Sequence, residues 1–217
     1  MQTDFENGRP KGTLLRITLA CILAELLNLL CVWFFCDQLH AHLFLDTVGT
    51  VAVTFYAGLV PGLIVAVMFN VMRVLMLAIV TKSPVYPWDM IYALCGIAIV
   101  LTTWSCSRKK ENFCMDTGIT LLHLVLIALV SAFASSIIGG IIESFNRIMF
   151  QGKAYDARPL EQMVHALLGE NLGLFASCIM ARIPVTVLDR FICTFAGFGL
   201  YRLTQLDKKQ AHGPSLR

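Results

Sequence analysis

The chain has 217 residues, of which 57% are hydrophobic and 14% charged, with a mean hydropathy of +0.72. A soluble domain carries about 25% charged residues, so this composition excludes an ordinary soluble globular domain and leaves no length for a separate soluble catalytic domain. A net charge of +3 is too small to point to a nucleic-acid partner.

The expected fold is all-α: an integral membrane bundle of six transmembrane helices. Residues 1–13 form a polar N-terminal segment without the small-residue cleavage site of a signal peptide, and the apolar run after them reads as a retained span. Spans need about 20 apolar residues, and the candidates are roughly 14–36, 43–60, 61–81, 87–105, 118–142 and 172–203. The second and third are joined at Gly58–Pro61–Gly62, where Pro61 disfavours helical geometry at Val60 and the glycines relieve crowding. A polar connection over 143–171 holds an amphipathic stretch, 159–168, that starts with Pro as a short interfacial helix would. The sixth span contains Pro184, which predicts a kink; dividing the region there would make seven spans, with each half of this region short. The membrane domain is thus 14–203, followed by a tail over 204–217.

Lys and Arg set the orientation. With both ends cytoplasmic, the inner segments hold Arg9, Lys11, Arg16, Arg108, Lys109, Lys110, Arg202, Lys208, Lys209 and Arg217. The outer ones hold Lys82, Arg147, Lys153 and Arg158. This asymmetry predicts an N-in, C-in multi-pass protein. Trp33, Trp88, Trp104 and Tyr201 fall near span ends, where amphipathic rings prefer the headgroup level.

Polar residues inside apolar spans mark a pocket or pathway, because an ionisable group in lipid costs several kcal/mol without a partner or water. Asp46 is expected near the outer end of the second span with Thr50 one turn deeper, Asn70 near the middle of the third span, and Arg73 on the same face as Asn70. Glu170 and Asn171 lie at the outer mouth, Arg182 inside the last span, and Asp189 and Arg190 seven and eight residues further on. Asp46, Thr50, Asn70, Arg73, Glu170, Asn171, Arg182 and Asp189 are therefore the candidate ligand-binding residues. The alternative is structural pairing between helices, for example Asp46 with Arg73. Adjacent Asp189 and Arg190 point to different faces, so an Asp189 pair would need Arg73 or another helix.

No catalytic motif is present, and no group of His, Cys, Asp or Glu has metal-ligand spacing, so neither enzyme activity, a metal nor a cofactor is expected. His123 has no acidic or Cys partner at such a spacing. The eight cysteines lack C-x-x-C pairs and read as small buried hydrophobes. Ala20-x-x-x-Ala24 and Gly58-x-x-x-Gly62 are small-xxx-small patterns that let helices approach closely.

Six spans in about 200 residues, both ends inside and no ATP-binding motif resemble the substrate-binding S component of an energy-coupling factor (ECF) transporter, or an S-component-like membrane protein. LDTVGTVAVTFYAGLVPGLIVAVMFNVM is similar to the pattern of a helix running into a glycine turn and a second helix with a polar residue. IPVTVLDRFICTFAGFGLYR is similar to the closing helix of S-component-like proteins and membrane sensor domains. Ala20 and Ala24 resemble the Ala motif that docks on the transmembrane T component. The resemblance implies a vitamin or related micronutrient as small-molecule substrate, captured from outside a bacterial cytoplasmic membrane. It implies a T component and two ATPase subunits as partners within the lipid bilayer. A membrane ligand-sensing module signalling through a partner protein is the competing expectation. An ion-coupled secondary transporter would want an internal repeat, and none is evident.

Overall fold

The computed structural model describes residues 11–39, 43–81, 87–108, 117–150 and 159–211. These residues are almost entirely helical. Helix α1 spans Lys11–Val32 and continues as one π-helical stretch, Trp33–Gln38; α2 spans Val48–Ala57 and α3 spans Leu59–Thr81. A 3-10 turn, Pro87–Tyr92, leads into α4, Ala93–Ser107. Helix α5 spans Thr117–Phe150, α6 spans Pro159–Gly169 and α7 spans Leu174–Ala211. The amphipathic stretch at 159–168 is thus helical as expected. The fifth helix outruns its predicted end at 142, because the Glu143–Arg147 pair at i, i+4 carries it one further stretch to Phe150.

Five of these helices are long and apolar enough to cross a membrane: Thr13–Cys36, Leu59–Met76, Asp89–Ser107, Thr117–Met149 and Leu174–Gln205. Their outward faces carry large apolar side chains such as Leu23, Leu26, Ile64, Leu122 and Leu188, as lipid contact requires. The chain is therefore membrane-embedded. The expected second span differs. Helix α2 has only ten residues, about 15 Å, half of a bilayer's apolar thickness.

An irregular stretch precedes α2. Residues 43–47 are not helical, and Leu45 adopts a left-handed backbone (φ 47°). Helix α2 then runs antiparallel to α1. Gly49 lies against Ala24, so close that a Cβ on Gly49 would sit 2.7 Å from the Ala24 Cα, and Val53 clusters with Ala24, Ala20 and Cys21. Relative to α7 it runs parallel: Val48 packs with Cys193, and Phe55 stacks against Phe198 and Tyr201 at 5.3 and 5.8 Å. The first turn of α2 consequently lies opposite the middle of both α1 and α7.

At its other end α2 stops at Gly58, whose φ of 91° and ψ of −161° suit only glycine. The chain reverses there, since a Cβ on Gly62 would meet the Thr54 Cβ at 3.3 Å and the Val100 side chain at 3.0 Å. The reversal was expected, but its pivot is Gly58 alone. Pro61 sits in the first turn of α3, where its missing N–H is not needed. Helix α4 returns along α3 with Gly96 against Ala66, and α5 and α7 pack antiparallel with Gly140 against Ile179. Pro184 lies within the continuous helix α7. The main core cluster is Val51, Phe55, Ile99, Leu124, Ile127 and Phe198. It fills the half of the bundle toward the C-terminal end of α2. The buried charged groups, Glu143, Asp189 and Arg190, gather in the other half.

Candidate functional site

The irregular stretch before α2 creates the chemical problem that the site solves. Backbone N–H groups at this depth cannot reach water, and irregular backbone is tolerated inside a membrane only where protein buries it. Two side chains, those of Asn28 and Asp189, accept from such N–H groups, and Arg190 ties down the side chains of the same stretch. Asn28, fully buried on α1, accepts from the Gly49 N–H at 2.8 Å and donates to Thr50 Oγ1 at 2.9 Å. Asp189, fully buried on α7, accepts from the Leu45 N–H at 2.7 Å. Arg190 donates to Thr47 Oγ1 and to its neighbour Asp189, and reaches Asp46 Oδ1 at 2.7 Å.

Two expectations are corrected here. Asp46 pairs with Arg190 and not with Arg73. Asp189 and Arg190 pair with each other in spite of being adjacent. A long, flexible guanidinium can curl back over its own backbone when both residues face the same irregular strand. Asp46 lies opposite the middle of α7, in the non-helical residues before α2.

A second ion cluster lies about two turns earlier on α7. Arg182 donates from Nε to Glu143 Oε2 at 2.8 Å and from Nη2 to the Tyr92 hydroxyl at 3.3 Å, with its guanidinium 5.2 Å from the Tyr92 ring. Glu143 is buried and shares its other oxygen with Arg147, at 2.8 Å. Gly139 makes the room: a Cβ there would lie 3.2 Å from Arg182 Cζ. Cys95, on the first turn of α4, is within electrostatic reach of Arg182, Asp46 and Arg190, and its thiol donates weakly to the Ser135 carbonyl at 3.7 Å.

The candidates distribute unevenly over this frame. Asp46, Thr50 and Asp189 belong to the central network, and Arg182 to the second cluster. Thr50 and Asp189 are almost wholly buried, so they hold backbone and side-chain partners in place. Asn70 donates its amide to the Ala66 carbonyl of its own helix at 2.9 Å. Arg73 is half-buried and forms no ion pair among the described residues. Glu170 and Asn171 are exposed at the turn between α6 and α7 and do not join Arg182. Asn171 has a left-handed backbone (φ 61°) and donates its N–H to the Leu168 carbonyl, as the residue ending a helix does. Ala20 and Ala24 pack internally against Val53, Val65 and Ala57. Lys82, Lys109, Lys110, Lys153, Arg158, Arg217, Arg9 and Cys114 lie outside the described residues.

Sequence reasoning did not include Asn28, Thr47, Tyr92, Cys95, Glu143, Arg147 and Arg190 among the site residues. The Glu143-x-x-x-Arg147 spacing and an Asn in mid-span were visible signals. Nothing local marks Tyr92 or Cys95. No family model matches the chain, and neither a curated protein nor a solved structure matches it.

Proposed function

We propose that this chain is a membrane-embedded small-molecule-binding subunit of an uptake system, of the S-component kind, that takes its ligand from the outer side of a bacterial cytoplasmic membrane. One observation carries the reading. Asp46 and Arg182 are charged, partly exposed (29% and 18% of their side chains) and only partly satisfied, in the polar half of an otherwise apolar bundle. A purely structural ion pair gains most when all its hydrogen bonds are made and water is excluded. Two open charges near a broken helix are what a binding site inside a membrane needs.

In this reading residues 43–57 belong to one passage, irregular before α2 and helical in it. The chain then crosses six times with both ends in the cytoplasm, and α7 bends near Pro184 beside Arg182. The aromatic contacts of Phe55, Phe198 and Tyr201 close the inner side. Energy comes from a T component and two ATPase subunits, because no ATP-binding motif is in the sequence. The ligand-sensing alternative gains from one fact: Ala24 packs against Gly49 inside the chain, which removes it from an outward docking stripe.

The test is purification from native membranes in mild detergent, with mass spectrometry of co-purifying proteins and small molecules. Recovery of a T component, ATPases and a bound metabolite is the expected result. A signalling protein in place of ATPases moves the assignment to the sensor. Recovery of no small molecule from well-folded protein refutes ligand binding altogether.

A further inference from the structure

The two open charges are of opposite sign and lie apart, and that constrains the ligand. Asp46 Oδ1 is taken by Arg190, while Oδ2 has no partner among the described residues. Arg182 spends Nε on Glu143 and Nη2 on Tyr92, while Nη1, lying over Gly139, has none. Along α7 the step from Arg182 to Asp189, which with Arg190 sets the level of Asp46, is seven residues, about 10 Å. Polar groups also lie near both levels. Cys95 is within electrostatic reach of both clusters. Ser136, only 1% exposed, keeps a hydroxyl with no partner, and the Arg190 Nε is likewise buried and unpartnered. Ser136 shares a helix face with Gly139 and Glu143 and stands one turn from Gly139 toward the level of Arg190, because α5 and α7 are antiparallel.

We propose that this site binds a zwitterion, with a cationic group on Asp46 Oδ2, an anionic group on Arg182 Nη1, and a short linker lying across Cys95 and Ser136. The inference rests on the ligand-binding reading above and narrows it to a chemical class. An uncharged ligand would strip water from both charges and return nothing to either. A singly charged one would complete one pole and strip water from the open atom of the other, and an unmade hydrogen bond on a charged group carries the larger desolvation penalty. Only a molecule with both charges, spaced to match, completes both half-made sets of hydrogen bonds. The Ser136 hydroxyl, without a partner among the described residues, adds a hydrogen-bonding group for the linker.

The experiment uses the full-length protein in detergent and four probes of increasing charge separation: glycine, β-alanine, γ-aminobutyrate and ε-aminocaproate. Hexylamine and caproate serve as single-charge controls, and affinity is read by calorimetry. Affinity is expected to rise along the series, with ε-aminocaproate at least about tenfold tighter than either control. In Asp46→Asn that advantage over caproate disappears while caproate itself binds as before. In Arg182→Gln the advantage over hexylamine disappears while hexylamine binds as before. A merely structural role would lower all probes together. Equal affinity for zwitterions and single-charge controls, or no binding by any probe, overturns the inference without using a variant. A native metabolite lacking one of the two charges also overturns it, and in that case the small-molecule reading itself survives.

Discussion

Replacing Asn28 by Leu tests whether the side-chain anchoring of the irregular passage holds the fold together. The substitution keeps the volume and removes both hydrogen bonds, at 2.8 Å from Gly49 and 2.9 Å to Thr50. Its largest cost is the Gly49 N–H, which is stranded in a helix N-terminus sealed against Ala24 and loses about 1–3 kcal/mol. The lost Asn28–Thr50 bond adds about 0.6 kcal/mol, the average for side-chain hydrogen bonds between membrane helices. Leu returns some of this through apolar contact, so the net destabilisation is about 1–3 kcal/mol. Thr50→Val removes only the second bond and should cost about 1 kcal/mol or less. The assay is reversible unfolding in mixed micelles, followed by tryptophan fluorescence. The order wild type, Thr50→Val, Asn28→Leu is expected. Asn28→Leu within about 0.5 kcal/mol of wild type would refute the argument, because the Gly49 N–H would then have another partner.

Gly49→Ala should destabilise by about 1–3 kcal/mol, because the new methyl meets the Ala24 backbone and forces α1 and α2 apart. Ala24→Gly should not rescue it, since the obstacle is main chain; rescue in the same unfolding assay would contradict this packing. Gly58→Ala should cost a similar amount for another reason. The space around Gly58 is open, so the cost is its backbone conformation, φ 91°. Gly58→Asn should cost the same as Gly58→Ala, and an unchanged unfolding midpoint for either would mean that the reversal does not need this geometry.

The α3, α5 and α7 helices were legible because length and hydropathy are local properties. Twenty apolar residues in a row leave lipid as the only solvent for their side chains and helix as the only way to satisfy their backbone. Legibility failed at 43–60 for an equally physical reason. FLDTVGTVAVTFYA is apolar enough to read as a continuous span, and nothing in it announces that Leu45 turns left-handed while two other helices supply its hydrogen bonds. The pairing of charges was hidden in the same way. Asp46 finds Arg190, which lies 144 residues further along the chain, and Glu143 finds Arg182 across 39.

By itself, then, the sequence determines that this protein lives in a membrane, is helical, and keeps a small set of polar groups away from lipid. Composition and the cost of burying polar groups suffice for that. The tertiary structure alone decides where the second passage breaks and which charges are satisfied. It also leaves two of those charges, Asp46 and Arg182, partly exposed. A side chain's partner depends on which helix faces it and at what depth, and both depend on packing contacts such as Gly49 on Ala24 and Gly139 under Arg182. The same two glycines read, in the sequence, only as small residues in apolar runs.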